Sequence, residues 1–491
     1  MSNRNFDNRV IIQRLQNQNY ARNLFTNNVN GKHLINNPQN TDGTASNQNT
    51  FTSGGQTMYF RGLLGGGETI SVGGTFGLPI KESVTTPIPP IPPIPPTPSE
   101  FMVINISTTP GSLTMELPFD GITSLNINWG DGLISTYTTP PSHNYNNSGL
   151  YKIEIGGAAS RYGTLERQYS GVNLISSVSQ WGTLGLSSLS GAFLNAITLV
   201  EVPDTIPLSI TDMSVMFAYA SSFNHNISNW DVSNVTNMYA MFSGASNFNQ
   251  NISNWDVSNV TTMFAMFSGT SNFNQNISKW DVSNVLDMTG MFTSAFMFNQ
   301  DLSNWNVSSV SSMDSMFRET TLFNNNNQPL TWGSTSNVRN MNNMFNQARA
   351  FNQDLSNWNV SSVSSMDSMF RETTLFNNNN QPLTWGSTSI VRNMNSMFYG
   401  TLLFNQDISN WKTEKVTNMN SMFYAASSFN QDISDWTVSN VTNANYIFCN
   451  SPLSDIINES KRPIITYIEY ISSCPKSTAG SQPAPASATN V

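Results

Sequence analysis

Side chains that can act as acids, bases or nucleophiles are few and far apart in this sequence. The chain has three histidines, His33, His143 and His225, and each lies in a different sequence context. Catalysis needs several such groups to converge on one reacting atom, and a phosphate-binding glycine loop needs a following lysine with serine or threonine. Neither pattern occurs, so the sequence predicts a protein that is not an enzyme and binds no cofactor.

Acidic residues beside recurring tryptophans raise the possibility of a metal-binding repeat. The residue after tryptophan is aspartate at Asp231, Asp256 and Asp281, but the later repeats differ and carry Asn306, Gly333, Asn359, Gly386, Lys412 and Thr437. A repeat that binds calcium needs its carboxylate in nearly every turn. We therefore predict no metal site in the repeats.

The two cysteines, Cys449 and Cys474, are too few for a disulfide framework and lack the spacing of metal ligands. Two alternatives remain from the sequence. They form one disulfide that closes the C-terminal end, or they remain free thiols.

The surface of this protein must be polar but nearly uncharged. Only 10% of its 491 residues are charged, against a usual value of about 25%, and Asn, Ser and Thr fill the polar positions. A net charge of -9 over this length offers no footprint for nucleic acid. No run of about 18 apolar residues and no signal-peptide core occurs, so we expect neither a membrane span nor a signal peptide.

Two segments of unusual composition precede the first predicted domain. Residues 1–83 begin with a basic stretch and are rich in Asn, Gln, Gly and Thr. We interpret them as a flexible tail or as an anchor that orders on a larger assembly, such as a capsid or surface layer. Residues 84–100 are rich in proline, which favours polyproline II and a stiff spacer of roughly 40 Å. An SH3 or WW ligand is the alternative.

Alternating apolar runs in residues 101–158 predict a small antiparallel β-sandwich. Trp129 and Tyr145 are expected in its core, Asp131 on the amides of a turn, and His143 as a structural partner of that turn. The segment resembles the PKD-like β-sandwich family, whose members carry a W-G-D-G turn followed by H-x-Y-x-x-x-G-x-Y. The matching residues are Trp129, Gly130, Asp131, Gly132, His143, Tyr145, Gly149 and Tyr151.

Tryptophan recurs at a nearly constant spacing in the remaining chain. Four tryptophans follow one another at steps of 25 residues, and five more follow at steps of 25 to 27: Trp230, Trp255, Trp280, Trp305, Trp332, Trp358, Trp385, Trp411 and Trp436. Each unit is too small to close its own core, so we expect like side chains to form columns and asparagines to form amide ladders. Residues 159–453 are therefore predicted to be a parallel solenoid of about 11 coils, in a protein that is mainly β with short helical or irregular segments.

The repeat unit reads M-F-x-x-A-x-x-F-N-Q-D-I-S-N-W-D-V-S-N-V-T-N-M, and its part from F-N-Q to the last M recurs at residues 248–263, 273–288 and 298–313. It resembles the repeat of the BspA-like leucine-rich-repeat surface proteins. That resemblance implies a leucine-rich-repeat-like solenoid, with a short parallel strand in F-N-Q-D-I and a helix-like or irregular wall at M-F-x-x-A. Two units contain an insertion, and we expect bulges at Pro329 and Pro382.

The polar residues of the F-N-Q-D-I segment are the candidate ligand-binding residues, because this segment is the expected strand face. Weak contacts repeated along such a face produce avidity for a carbohydrate or protein ligand. The candidates are Gln250, Gln275, Gln300, Gln353, Gln406, Gln431, Asp301, Asp354, Asp407 and Asp432.

Two functions fit these predictions, and both place the protein at a cell or virion surface. The first is adhesion to, or recognition of, a carbohydrate or protein ligand. The second is a structural appendage, such as a fibre or decoration protein of a large virus particle or surface layer, anchored through residues 1–83. Residues 454–491 are predicted to cap the last coil with a short apolar element and to end in a disordered tail.

Overall fold

The computed structural model describes residues 100–464 apart from 112, 166–168 and 386–387, together with Thr52–Ser53, Gln56–Thr57 and Cys474. The chain divides into two compact units, Met1–Pro90 and Ile91–Val491. In the first unit, strands β1 (Thr52–Ser53) and β2 (Gln56–Thr57) pair in antiparallel fashion. Most of the predicted anchor, the proline-rich spacer up to residue 99 and the C-terminal tail lie outside the described residues.

The second unit begins with antiparallel sheets. Its strands are β3 (Met102–Thr108), β4 (Thr114–Glu116), β5 (Phe119–Asp120), β6 (Ser124–Asn128), β7 (Ile134–Tyr137), β8 (Ser142–Asn144), β9 (Gly149–Ala158), β10 (Arg161–Tyr162) and β11 (Ile175–Trp181). A five-stranded sheet has the order β11-β3-β9-β6-β7, and β4-β8 and β10-β5 form two further pairs. Helix in the described residues is limited to short 3₁₀ segments: Val172–Leu174, Asn325–Asn327, Asn378–Asn380, Pro452–Ser454 and Ile456–Lys461.

The residues in and around the turn between β6 and β7 have the structural roles predicted for them. Trp129 and Tyr145 are buried, and the Tyr145 hydroxyl donates to the Trp129 carbonyl at 2.9 Å. The Leu133 N–H donates to Asp131 Oδ1 at 3.1 Å, and His143 Nε2 lies 2.8 Å from Asp131 Oδ2. Desolvation opposes ionisation of Asp131, but the Leu133 amide and His143 outweigh it and lower the pKa of this carboxyl. Asp131 and His143 therefore hold a turn, as expected.

The sheet region continues past residue 158 and merges with the first repeats. β11, which lies in the segment assigned to the solenoid, pairs along β3 at the sheet edge. The N–H of Tyr162 in β10 donates to the Ser188 carbonyl at 3.1 Å, and Arg161 forms a parallel bridge with Ser188. One hydrophobic core runs from the sheets through the repeats. The sheets therefore cover the end of the stack of repeats.

Successive repeats are joined by backbone hydrogen bonds on the M-F-x-x-A wall. The Val215 N–H donates to the Tyr239 carbonyl at 2.7 Å, and the Phe217 N–H donates to the Met241 carbonyl at 2.9 Å. Isolated parallel β-bridges also join the backbones of successive units just before this wall, as between Asn237 and Thr262. The expectation of a strand in F-N-Q-D-I is wrong, because residues 248–252 form no strand.

Successive backbone N–H groups of this wall alternate between acceptors in the next unit and acceptors in their own turn. Val215 (φ 58°) and Tyr219 (φ 58°) are left-handed, and the equivalent positions of the next unit are Ala240 (φ 50°) and Gly244 (φ 72°). Left-handed residues turn every second N–H toward the next unit, while the intervening N–H groups bond three residues back within their own turn. The unfavourable φ of non-glycine residues is offset by these repeated hydrogen bonds.

Like side chains stack in columns, as the periodicity predicts. The ring of Phe242 lies 5.7 Å from that of Phe267 in the next unit and 4.0 Å from that of Phe248 in its own unit. The indole Nε1 of Trp255 donates to the Ile227 carbonyl of the preceding unit at 3.2 Å. Each unit thus completes the core of its neighbour, which explains how a turn of about 25 residues becomes stable.

The inserted units bulge just before their prolines. Asn325–Asn327 form a left-handed turn that precedes Pro329. Asn378–Asn380 repeat this turn in residues 351–398, a near-identical copy of residues 298–345. The Asn325 amide is fully buried, accepts a hydrogen bond from the Leu302 N–H at 2.8 Å and donates to the Gln328 carbonyl at 2.9 Å. A buried asparagine therefore satisfies a backbone N–H of the preceding unit.

The two cysteines are joined in a disulfide. Cys449 lies in the last repeat and Cys474 lies near the C-terminus, with 5.7 Å between their Cα atoms. Of the two alternatives left open by the sequence, the structure has the bridge. It ties Cys474 to the last repeat.

Candidate binding surface

The predicted glutamine row lies on the stack, but its amides bond to neighbouring repeats. Gln250 Nε2 donates to the carbonyl and to Oδ1 of Asn224, at 2.9 and 3.0 Å, and Gln275 Nε2 bonds to Asn249 in the same way. The remaining predicted glutamines repeat the bond to Asn Oδ1: Gln300, Gln353, Gln406 and Gln431. Their side-chain donors are therefore engaged within the protein.

The asparagines of the same segment form the expected ladder. The Asn249 N–H donates to Asn224 Oδ1 at 2.9 Å, and the Asn274 N–H donates to Asn249 Oδ1 at 3.0 Å. Each Asn Oδ1 thus accepts from a backbone N–H and from a glutamine of the next unit. The amide ladder predicted from the repeated asparagines is confirmed.

The predicted aspartate row closes local turns. Asp301 Oδ1 accepts from the Ser303 N–H at 2.9 Å and from its hydroxyl at 2.6 Å. At Asp432, the Ser434 N–H and hydroxyl together lower the pKa of the carboxyl. Asn251 accepts from the Ser253 N–H at 3.0 Å. Asn and Asp interchange here because the turn needs only one acceptor oxygen. Asp354 and Asp407 form the same turn, and ligand binding by these residues stays a prediction.

The asparagine ladder ends on a lysine. At the last unit, Lys461 Nζ lies 3.0 Å from Oδ1 and 3.2 Å from the carbonyl oxygen of Asn430, the two acceptors that a further glutamine would occupy. The Lys461 carbonyl accepts from the Ile433 N–H at 3.0 Å. Lys461 therefore replaces the missing next repeat and terminates the stack.

Replacing Lys461 with methionine is expected to destabilise the last repeat by about 1–2 kcal/mol, because two acceptors lose a charged donor. Hydrogen exchange of amides in residues 429–436 should become faster. The exposed Lys415, changed to methionine, is the matched control and should leave exchange unchanged. Equal exchange in the two variants would contradict this role.

Aromatic side chains on the M-F wall stack on one another. Tyr399 and Tyr424 are 4.8 Å apart and nearly parallel, and the guanidinium of Arg371 lies 4.4 Å from the Tyr399 ring centre. Arg371 Nε is also 3.6 Å from Glu372 Oε1. Carbohydrates usually stack on a free aromatic face. Here the Tyr399 faces are covered by Tyr424 and Arg371, which does not favour a sugar platform.

Within five consecutive repeats, four carry exposed apolar side chains just after this wall. They occupy the two variable positions of A-x-x-F, and we call them the apolar stripe. Its members and exposed fractions are Phe296 (43%), Met297 (48%), Leu322 (47%), Leu375 (49%), Leu402 (44%) and Leu403 (49%). In earlier and later repeats the same positions are mostly Ser or Asn, as at Ser246, Asn247, Ser427 and Ser428. Contiguous exposed apolar surface is typical of an interaction site.

The middle repeat of the apolar stripe differs from its neighbours by carrying Arg349 and Ala350. The Ala350 N–H donates to the Thr321 carbonyl at 3.2 Å, and the Leu375 N–H donates to the Arg349 carbonyl at 3.3 Å. These bonds place Ala350 between Leu322 and Leu375 along the stripe. The stripe thus has a small residue and a cation at its centre.

The three histidines do not come together in a reactive cluster in the described structure. His143 pairs with Asp131, and His225 Nε2 lies 3.5 Å from Asp204 Oδ1. Residue 33 lies outside the described part. Among the described residues, no group of three or more His, Cys, Asp and Glu side chains could hold a metal ion.

The apolar stripe does not follow from the residues that recur in every repeat. The signal is present at the variable positions of A-x-x-F, where five repeats in succession depart from Ser and Asn. Only the structure shows that these positions are exposed and adjacent.

Fold and surface together define a mainly β repeat protein in which antiparallel sheets cover a stack of short units. The repeats match a family model described as "Mycoplasma protein of unknown function, DUF285", and the chain belongs to this family. The matched segments are residues 165–253, 187–293, 252–333, 326–387 and 379–457. Comparisons with curated proteins and with solved structures found no significant match. In the described part of the chain, no helix has the length and apolar character to cross a membrane.

Proposed function

We propose that this chain is a non-enzymatic repeat protein, displayed at a cell or virion surface, that recognises a protein ligand through the apolar stripe. The observation that carries the proposal is the stripe itself, a row of exposed apolar side chains on a protein rich in Asn and Ser. Between the protein and carbohydrate ligands expected from the sequence, the stripe favours protein, because aliphatic side chains bury well against other apolar side chains.

The finer description of the fold is part of the same proposal. We propose that the repeats form a leucine-rich-repeat-like solenoid of the BspA type and that the preceding sheets are PKD-like. Inter-repeat hydrogen bonds and ring stacking support the first assignment, and the Asp131 turn with its His143 partner supports the second. In both cases the support is geometric.

A structural appendage anchored through residues 1–83 is the second candidate. It is favoured by the duplication of residues 298–345 as 351–398, which reproduces the same local geometry. Asn378 accepts from the Leu355 N–H at 2.8 Å, as Asn325 does from Leu302. Two repeats can therefore be added without disturbing the stack, which suits a spacer of adjustable length.

Immunogold electron microscopy on intact source particles or cells tests the surface proposal. Separate antibodies against residues 1–83 and 159–453 are needed. We expect the repeats to be labelled on the outside. Masking of the 1–83 epitope on intact particles, with exposure after disruption, would favour the anchored appendage. Label confined to the interior would contradict both functions.

Replacing Leu322, Leu375 and Leu403 together with serine tests the stripe. Peptides are first selected from a random 12-residue phage library on the immobilised full chain. We expect the selected pool to bind the triple variant at least about tenfold more weakly, because apolar contacts are lost.

The matched control for this test replaces three exposed apolar residues elsewhere, Ile197, Val200 and Leu208, with serine. Exposed substitutions change stability by about 0.5 kcal/mol or less each, so both variants should fold. Equal binding of the pool to both variants would remove the stripe as the binding site.

A further inference from the structure

We infer that the ligand of the apolar stripe is a protein segment that presents a row of apolar side chains interrupted by one carboxylate, which pairs with Arg349 beside Ala350. This inference rests on the proposed function and specifies its partner. It depends on three features of the stripe: the shape of its centre, the ion pairing of its arginines and the charge of the whole chain.

The residue sizes along the stripe leave a gap at its centre. Leu322 and Leu375 are about half exposed on either side, and Ala350 between them is the smallest residue at this position in the five repeats. Its backbone is held by the hydrogen bond to Thr321, so the gap lies on a fixed frame. A flat apolar strand would leave this gap unfilled, whereas a side chain reaching toward Arg349 would fill it.

Arg349 differs in its ion pairing from the two arginines of the adjacent wall. Arg318 Nη2 lies 3.1 Å from Glu319 Oε1, and Arg371 is paired with Glu372. Arg349 is exposed and has no acidic partner among the described residues. An exposed guanidinium beside a row of apolar side chains favours a ligand that supplies a carboxylate, because apolar contact alone would cover the charge without compensation.

The overall charge favours a protein ligand over a lipid surface. An anionic membrane would attract a basic face, but this chain has a net charge of -9 and the other arginines beside the stripe are neutralised by glutamates. The stripe is also at most two apolar side chains wide in any repeat. A narrow apolar row with one central cation matches an extended peptide segment.

The test uses the peptides selected on the full chain. We expect their sequences to share several apolar residues around one Asp or Glu. Synthetic versions should bind, by fluorescence polarisation, at least about tenfold more weakly to Arg349→Ala, while Arg349→Lys retains part of the affinity. Arg349→Glu should reverse the preference toward peptides with lysine in place of the acid. Ala350→Leu should weaken binding by filling the gap.

The outcomes separate this inference from the proposed function. Peptides that lack an acid, lose affinity on the triple serine variant and bind Arg349→Ala normally would overturn the inference and leave the stripe as a binding site. Peptides unaffected by the triple variant would overturn both. Binding to phosphatidylglycerol vesicles that depends on the stripe, with no selected peptide, would assign it to lipid and overturn the inference.

Discussion

Phe317→Ala is expected to destabilise the repeat region by about 3–5 kcal/mol. The Phe317 side chain is fully buried, its ring lies 3.9 Å from Phe323 in its own unit, and it lies 5.6 Å from both Phe292 and Phe345 in the adjacent units. Truncation leaves a cavity that touches three repeats. Because each repeat is stabilised mainly by its neighbours, the damage extends beyond one unit.

Urea unfolding followed by tryptophan fluorescence measures this effect, and hydrogen exchange locates it. The increase in the hydrogen-exchange rate should be largest in residues 292–351. Phe296→Ala is the matched control, since the same chemical change at a side chain that is 43% exposed should cost about 0.5 kcal/mol or less. A similar unfolding midpoint for the two variants would contradict the stacked core.

Gly163→Ala is expected to destabilise the junction between the sheets and the first repeats by about 3 kcal/mol or more. Gly163 has φ +124°, and a Cβ there would overlap the Ser190 carbonyl and the backbone of Ala192. These atoms belong to the first repeat and are held by its own hydrogen bonds. The strain therefore acts where the sheets cover the stack.

Gly185→Ala is the control for backbone strain alone. Gly185 also has a positive φ, +79°, but a Cβ there meets open space. Gly185→Ala should lower the free energy of unfolding by only about 1–2 kcal/mol. Hydrogen exchange after Gly163→Ala should accelerate in residues 159–195 and remain slow near residue 400. Equal destabilisation by the two alanines would mean that the close approach at Gly163 is relieved by movement of the first repeat.

Stability and ligand binding are expected to depend on different sets of residues. Buried columns hold the stack together, whereas the apolar stripe and Arg349 are exposed. Phe296→Ala is informative for both. It should preserve the unfolding midpoint and weaken binding of the selected peptides, because Phe296 lies at one end of the stripe.

The sequence by itself determined which side chains lie next to one another in the stack. A tryptophan every 25 to 27 residues predicts columns of like side chains, and repeated asparagines predict amide ladders; both are present. The W-G-D-G turn also predicts the positions of Trp129, Asp131 and His143. These features follow from residue type and spacing, because identical units placed side by side bring identical side chains into contact.

Only the tertiary structure decided which backbone groups pair and which side chains are exposed. The repeat shows neither the two-residue period of a strand nor the 3.6-residue period of a helix, so its sequence does not indicate that the M-F-x-x-A wall carries the inter-repeat ladder. Left-handed Val215 and Tyr219 are not favoured by their own side chains, and β11 joins the sheet through contacts far away in sequence. Exposure of the apolar stripe and engagement of Gln250 depend likewise on how the turn closes, which is settled by packing between repeats.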